Sequence, residues 1–165
     1  MRCASCGEPN ATKETREMHP YVGCGLDNVI LEVAELRVCP DCGAEDLALR
    51  NVAALYSALA MAVTSKSARL AGQEVRFLRK FIGLSGQDFA RTIGIDPTTV
   101  SRWENDKEPI GGTADRLLRL MARAHDPETD ATTYDDFDAI TRDGARLRLT
   151  ARRKGSKWSA EAEAA

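Results

Sequence analysis

Two copies of Cys-x-x-Cys-Gly, Cys3-Ala-Ser-Cys6-Gly7 and Cys39-Pro-Asp-Cys42-Gly43, constrain this chain more than any other feature. Two intervening residues let both sulfurs of a pair reach one tetrahedral ion from a tight turn. The glycine after each second cysteine tolerates a positive φ, so backbone N–H groups can aim at the thiolates. Two such knuckles on neighbouring turns make a closed four-cysteine site with no open position for chemistry. The 32 residues from 7 to 38 exceed the common finger spacing and fit a ribbon-like arrangement with strands across the gap. The competing readings are redox-active dithiols, an Fe–S cluster or chance. A redox Cys-x-x-Cys usually occurs once, at a helix N-terminus, so structural Zn2+ held by Cys3, Cys6, Cys39 and Cys42 is preferred. Such a site holds together a small domain that lacks the core to fold alone. Cys24 is left over as a small packed or exposed thiol, and His19 is not needed as a ligand.

Between the knuckles lies an irregular segment, then Asn28 to Val38, which is rich in β-branched residues and reads as a strand. From Asp46 to Val63 the pattern turns helical: Leu49, Val52, Leu55, Tyr56, Leu59 and Val63 recur at spacings of three and four. Thr64-Ser-Lys-Ser67 breaks that period with small polar residues and reads as a hinge. Four short helical pieces follow from Gln73 to His125. Beyond Pro127 comes an acidic, Thr-rich stretch, Asp130 to Asp138. Residues 145 to 151 then alternate apolar and basic side chains, and they can pair with Trp158 to Ala162 as a hairpin.

The segment from Ser85 to Glu104 carries an ordered set of local signals. Ser85 can N-cap a helix, with Asp88 three residues later completing a capping-box-like pair. Ala90 falls where two helices would approach most closely. Gly94 suits the left-handed residue that ends the first helix, Asp96 is a second N-cap, and Pro97 takes the first helical position. Val100 and Trp103 face inward, with Ile93 and Ile95 filling the space between. The pattern is that of a helix-turn-helix, and a polar helical hairpin facing only water is the plainer alternative. On the helix-turn-helix reading, Thr98, Thr99, Ser101, Arg102 and Asn105 line the outer face that enters a major groove. Arg102 can bond guanine in bidentate fashion, and Gln87 can fix register on a phosphate or base. Flanking helices, Gln73 to Ile82 (Val75, Leu78, Phe81) and Thr113 to His125 (Leu117, Leu118, Leu120, Met121), complete the bundle.

Charge supports this placement. Residues 1–66 carry six Lys/Arg and nine Asp/Glu, residues 67–126 ten and eight, and residues 127–165 seven and eight; the nets of −3, +2 and −1 sum to −2. The one positive segment is the one expected to meet DNA. The chain is 43% hydrophobic and 29% charged, a globular composition. No apolar run approaches the roughly 20 residues that span a bilayer, and the N-terminus lacks a signal-peptide core. A cytoplasmic protein with no membrane partner is expected. An enzyme is not: the metal site is closed, and His19 and His125 have no carboxylate or nucleophile at motif spacing.

Residues 84–104, with Trp103-Glu104 followed by Pro109 and a Leu-rich helix, resemble the lambda-repressor/Cro (XRE) class. The whole of residues 1–126 is similar to MqsA-type antitoxins, which join a YgiT-type zinc finger to such a domain. The matching features are Cys3, Cys6, Tyr21, the strand before Cys39, Cys42-Gly43, a helix and linker, and Val100-Ser-Arg-Trp-Glu104. The resemblance implies a homodimer through the C-terminal domain that binds a palindromic operator in duplex DNA. It also implies a small toxin, usually a ribonuclease, bound by the N-terminal domain, with structural zinc. The chain departs from the family in its tail beyond Asp126, where Arg146, Arg148, Arg152, Arg153, Lys154 and Lys157 either contact phosphates or an interface, or are simply solvated.

The expected fold is mainly α, with a small zinc-bound α+β N-terminal domain and a C-terminal lambda-repressor-like helix-turn-helix bundle. The expected divisions are a zinc domain at 1–63, a linker at 64–70, the DNA-binding domain at 71–126 and an extension at 127–165. The expected function is a type II antitoxin that represses its own promoter. The alternative is a free-standing XRE-type regulator with no toxin.

Overall fold

In the computed structural model, residues 1–126 and 147–164 are described. Among them are strands β1 (Thr12–Pro20), β2 (Val29–Val38) and β3 (Glu45–Leu47), then helices α1 (Val52–Thr64), α2 (Gly72–Phe81), α3 (Gly86–Ile93), α4 (Pro97–Glu104) and α5 (Gly112–His125). Strands β4 (Leu147–Lys154) and β5 (Lys157–Ala164) follow. The chain is therefore not purely helical: five helices stand beside a mixed five-stranded sheet.

β2 organises the sheet. One edge pairs antiparallel with β1 over most of its length, from Thr12↔Val38 to Pro20↔Ile30. The other edge is shared: β3 takes Leu36 to Val38 antiparallel, and β4 takes Val29 to Leu31 in parallel. β5 closes the hairpin on β4 through a turn whose Gly155 has φ +65°. The strand read at 28–38 is present. β1 falls on the segment read as irregular, because Lys13, Glu14, Thr15 and Glu17 are all exposed and give no alternation to detect. The helix expected from Asp46 starts at Val52 instead, because residues 45–47 are drawn into the sheet by pairing with β2. Asn51, in the left-handed region at φ 53°, N-caps it by accepting the N–H of Ala54.

A single apolar core runs through both halves of the molecule. Val29, Leu31 and Leu26 from the sheet side join Leu55, Leu59 and Val63 of α1, and continue into Val75, Phe77 and Leu78 of α2. Phe89, Val100, Trp103, Ile110 and Leu118 extend it through the remaining helices, and Leu149 and Ala151 of β4 close its far side. On α5 the inward face differs from the apolar stripe expected: Leu117 is 38% exposed, whereas Arg119 is completely buried beside Asp115. The acidic stretch Asp130 to Asp138 and Arg146 lie outside the described residues.

The basic hairpin residues meet acidic ones on β2. Arg152 pairs with Glu32, and Arg153 donates to Glu35 at 2.8 Å. Lys154 and Lys157 stay exposed at the turn.

Candidate metal centre and nucleic-acid interface

The two knuckles fold identically. In each, the glycine N–H returns to the first cysteine's carbonyl, Gly7 to Cys3 at 3.0 Å and Gly43 to Cys39 at 2.9 Å. Each first cysteine then bonds across the turn, Cys3 N–H to Glu8 and Cys39 N–H to Ala44. Gly7 and Gly43 sit at φ +81° and +70°, which is the reason a glycine follows each pair. β1 and β2 bring the turns together. Cys3 Sγ lies 3.7 Å from Cys42 Sγ and Cys6 Sγ lies 3.6 Å from Cys39 Sγ. All four sulfurs fall within 4.8 Å of one another, and theirs is the one such donor group among the described residues.

That spacing fits a tetrahedral metal ion. A metal–sulfur bond of about 2.3 Å puts neighbouring ligands about 3.8 Å apart. Four thiolates this close repel one another unless a cation lies between them. The N–H groups of Cys6 and Ser5 hold the Cys3 thiol down at about 6. At Cys42 the pull of the Ala44 N–H is outweighed by the neighbouring sulfurs, Cys6 first, which push it up to about 12. Cys3 and Cys39 are buried while Cys6 and Cys42 are exposed, so the cluster lies at the surface. Neither of the remaining candidates joins it. Cys24 is packed in the core, where burial raises its thiol, and His19 stands on β1 opposite Leu31.

The second candidate site is built by α3 and α4. Ser85 Oγ accepts the Asp88 N–H at 3.0 Å, and Asp96 accepts the Thr98 N–H at 2.7 Å, so both helices start on a side-chain cap. α3 ends at Gly94, φ 72°, with Ile95 N–H bonding Ala90 carbonyl at 2.9 Å and Gly94 N–H bonding Arg91. Phe89 and Ala90 of α3 and Val100 of α4 are buried, which presses the pair against the bundle.

Gln87, Thr98, Ser101, Arg102 and Asn105 are exposed, whereas Thr99 is half-buried. Arg102 has a side chain 61% exposed, with Glu108 at 3.9 Å as its ion-pair partner. Asn105 is already engaged: its amide donates to the Ser101 carbonyl at 2.7 Å and accepts from Arg76 at 3.0 Å. The sequence reading missed what anchors α4 from behind. Arg79, only 8% exposed, bonds both Glu104 oxygens and the Leu84 carbonyl, and Arg76 donates to the Glu104 carbonyl. Arg79 and Glu104 are 25 residues apart, so no local pattern links them. Gly72 passes so close to the end of α4 that a Cβ there would meet the Trp103 carbonyl at 2.5 Å.

Residues 1–129 match the family model for the antitoxin component of bacterial toxin–antitoxin systems, MqsA. No curated protein and no solved structure matches the chain.

Proposed function

The chain belongs to the MqsA antitoxin family, and from that premise we propose that it is a zinc-containing antitoxin that represses its own promoter. In this reading residues 71–126 are the lambda-repressor-like unit that grips duplex DNA. α4 lies in the major groove, with Thr98, Thr99, Ser101 and Arg102 toward the bases. Gln87 and Asn105 touch the DNA at its margin. Two copies associate through these units on a palindromic operator. Residues 1–63 form the zinc unit that binds and neutralises a small toxin, with 64–70 as the linker and 127–165 as an extension. The protein acts in the cytoplasm and catalyses no reaction.

The observation that carries the DNA reading is the pairing of a buried inner face on α3–α4 with an exposed, polar outer face that includes Arg102. Zn2+ is the metal of choice for four thiolates at tetrahedral spacing, and Cys3, Cys6, Cys39 and Cys42 would hold it. When bound, the ion ties two turns together and neutralises their charge, and it has no vacant position for a substrate.

Fluorescence anisotropy on the chain's own upstream DNA, against scrambled DNA at the same salt, tests the repressor reading. Tight binding to the upstream sequence alone is expected. Equal, weak binding to both would refute autoregulation. Co-purification with the product of an adjacent gene separates the antitoxin from a free-standing regulator, which would bring down no such partner.

A further inference from the structure

The segment after α1 has the composition of a hinge, Thr64-Ser-Lys-Ser67, but its backbone is gripped from inside the bundle. The Arg119 guanidinium donates to the carbonyls of Thr64 (3.0 Å), Lys66 (2.5 Å) and Ala68 (2.7 Å). Its Nε bonds Asp115, whose other oxygen accepts the Leu70 N–H at 2.8 Å. Lys66 pairs with Glu74 where both side chains are almost fully buried, and Glu74 also accepts the Ala71 N–H. A buried guanidinium with three bonds to backbone carbonyls and a fourth to Asp115 fixes the path of that backbone, because opening any of the three leaves a buried donor unpaired.

The flanking elements are joined as well. Asp27, in the loop before β2, exchanges two hydrogen bonds with Gln73 in the first turn of α2. Tyr56 of α1 meets Phe77 of α2 edge to face. The hairpin then returns from beyond α5 to the strand side. Leu149 N–H bonds the Asn28 carbonyl, Asn51 donates to the Ser156 carbonyl, and Trp158 Nε1 donates to the Arg50 carbonyl. Domains joined by a free linker move independently unless a large apolar interface holds them. Here the core is continuous across the joint.

We propose that residues 64–70 are a locked joint, and that the hairpin of β4 and β5 is the clasp that keeps it locked, so that the metal-binding and helical units turn as one body. Arg119 and Asp115 hold the joint from the helical side. Leu149, Ala151 and Trp158 hold α1 and β2 in place from the other side. An effector or partner on one unit is therefore presented to the other at a fixed angle.

Residue-resolved amide hydrogen exchange on the full, zinc-loaded chain tests both halves of this statement. The Leu70 amide is expected to exchange within about tenfold of those of Leu59 and Leu118, because all three open only with the common core. A Leu70 amide that exchanges faster than that, with α1 and α5 still protected, makes the segment a hinge and overturns the lock. Trp158→Ala, at the half-buried rim of the hairpin, leaves the buried core residues in place. It is expected to speed exchange at Leu31, Leu59 and Leu70 together by about tenfold or more. Faster exchange confined to β4 and β5 overturns the clasp. Leu149→Ala is the second variant, and the same two outcomes apply to it.

Discussion

Gly72, Gly86 and Gly112 are each the first residue of a helix, of α2, α3 and α5, but only Gly72 is crowded. A Cβ on Gly72 would lie 2.5 Å from the Trp103 carbonyl oxygen and 2.8 Å from Asp106 Oδ1; at Gly86 and Gly112 it would meet nothing within 4 Å. An ordinary carbon–oxygen contact is about 3.3–3.6 Å, so Gly72→Ala demands a displacement near 1 Å. The nearest atom is backbone at the end of α4 and cannot swing aside. Forcing the methyl in costs about 1–3 kcal/mol as overpacking. Moving Asp106 also weakens its 2.7 Å bond to the Gly72 N–H, and hydrogen bonds to charged groups contribute about 1.5–3 kcal/mol. Alanine's better helix propensity returns at most about 1 kcal/mol. The net expectation is a loss of about 2–4 kcal/mol. Urea unfolding of the full chain with zinc present measures it. Gly86→Ala and Gly112→Ala are matched controls, which carry the same propensity gain without the clash and should be neutral or slightly stabilising. Gly72→Ala with stability equal to that of Gly86→Ala would refute the close approach of α2 to the end of α4.

On the proposed repressor reading, Arg102→Ala should lower affinity for the upstream DNA about 5–150-fold, the weight of one bidentate base contact, and leave the unfolding midpoint unchanged because the side chain is exposed; anisotropy and calorimetry read the two effects separately. Arg119→Met removes the charge that answers Asp115 in the core and should cost about 3–5 kcal/mol in urea unfolding, the usual penalty for a buried charge left alone. Acid should unwind α3 and α4 early. The Ser85 hydroxyl and Arg91 hold Asp88 below the usual carboxylate range, and the hydroxyl and N–H of Thr98 do the same for Asp96. Both folded values are depressed, so their contribution is complete above about pH 4 and is lost as pH falls through the folded values. Far-ultraviolet circular dichroism between pH 5 and 2 follows this loss, and Asp96→Asn should flatten it. Cys39→Ser should abolish tight zinc binding, as read by metal content after dialysis against a weak chelator, whereas Cys24→Ser should leave one ion per chain.

How far the sequence could be read depended on how far apart the interacting residues lie. Ser85, Gly94, Asp96 and Pro97 act on backbone groups within a turn of themselves, so α3, the turn and α4 can be derived from a window of twenty residues. Each cysteine pair is equally local, and the second copy of the motif supplies the rest of the cluster. β3 fails that test: Asp46 and Leu47 open a helical pattern on paper, and only pairing with residues 36–38 makes Glu45 to Leu47 strand. Nothing in the sequence singles out Arg119, for a related reason. Its position on the helix is that of a core residue, but the carbonyls that accept its charge come from residues 64 to 68, more than fifty positions away. The extension divides in the same way. Its alternation and its Gly155 turn are visible as a hairpin, while its seat beside β2 is not, because no local feature of Leu149 points to Val29.

The parallel pairing of β4 with β2 also sets an order of events at the ribosome. Glu32 and Arg152 are 120 residues apart. At about 5–20 residues per second that distance corresponds to about 6–24 s of synthesis. Throughout that interval the edge of β2 from Val29 to Leu31 has been made but its partner has not, and the helices between them must emerge first. An open strand edge is a template for pairing with other chains. Slowed translation between residues 126 and 147 would therefore lengthen the exposure and send more of the nascent protein into aggregates, although α1 to α5 are already synthesised.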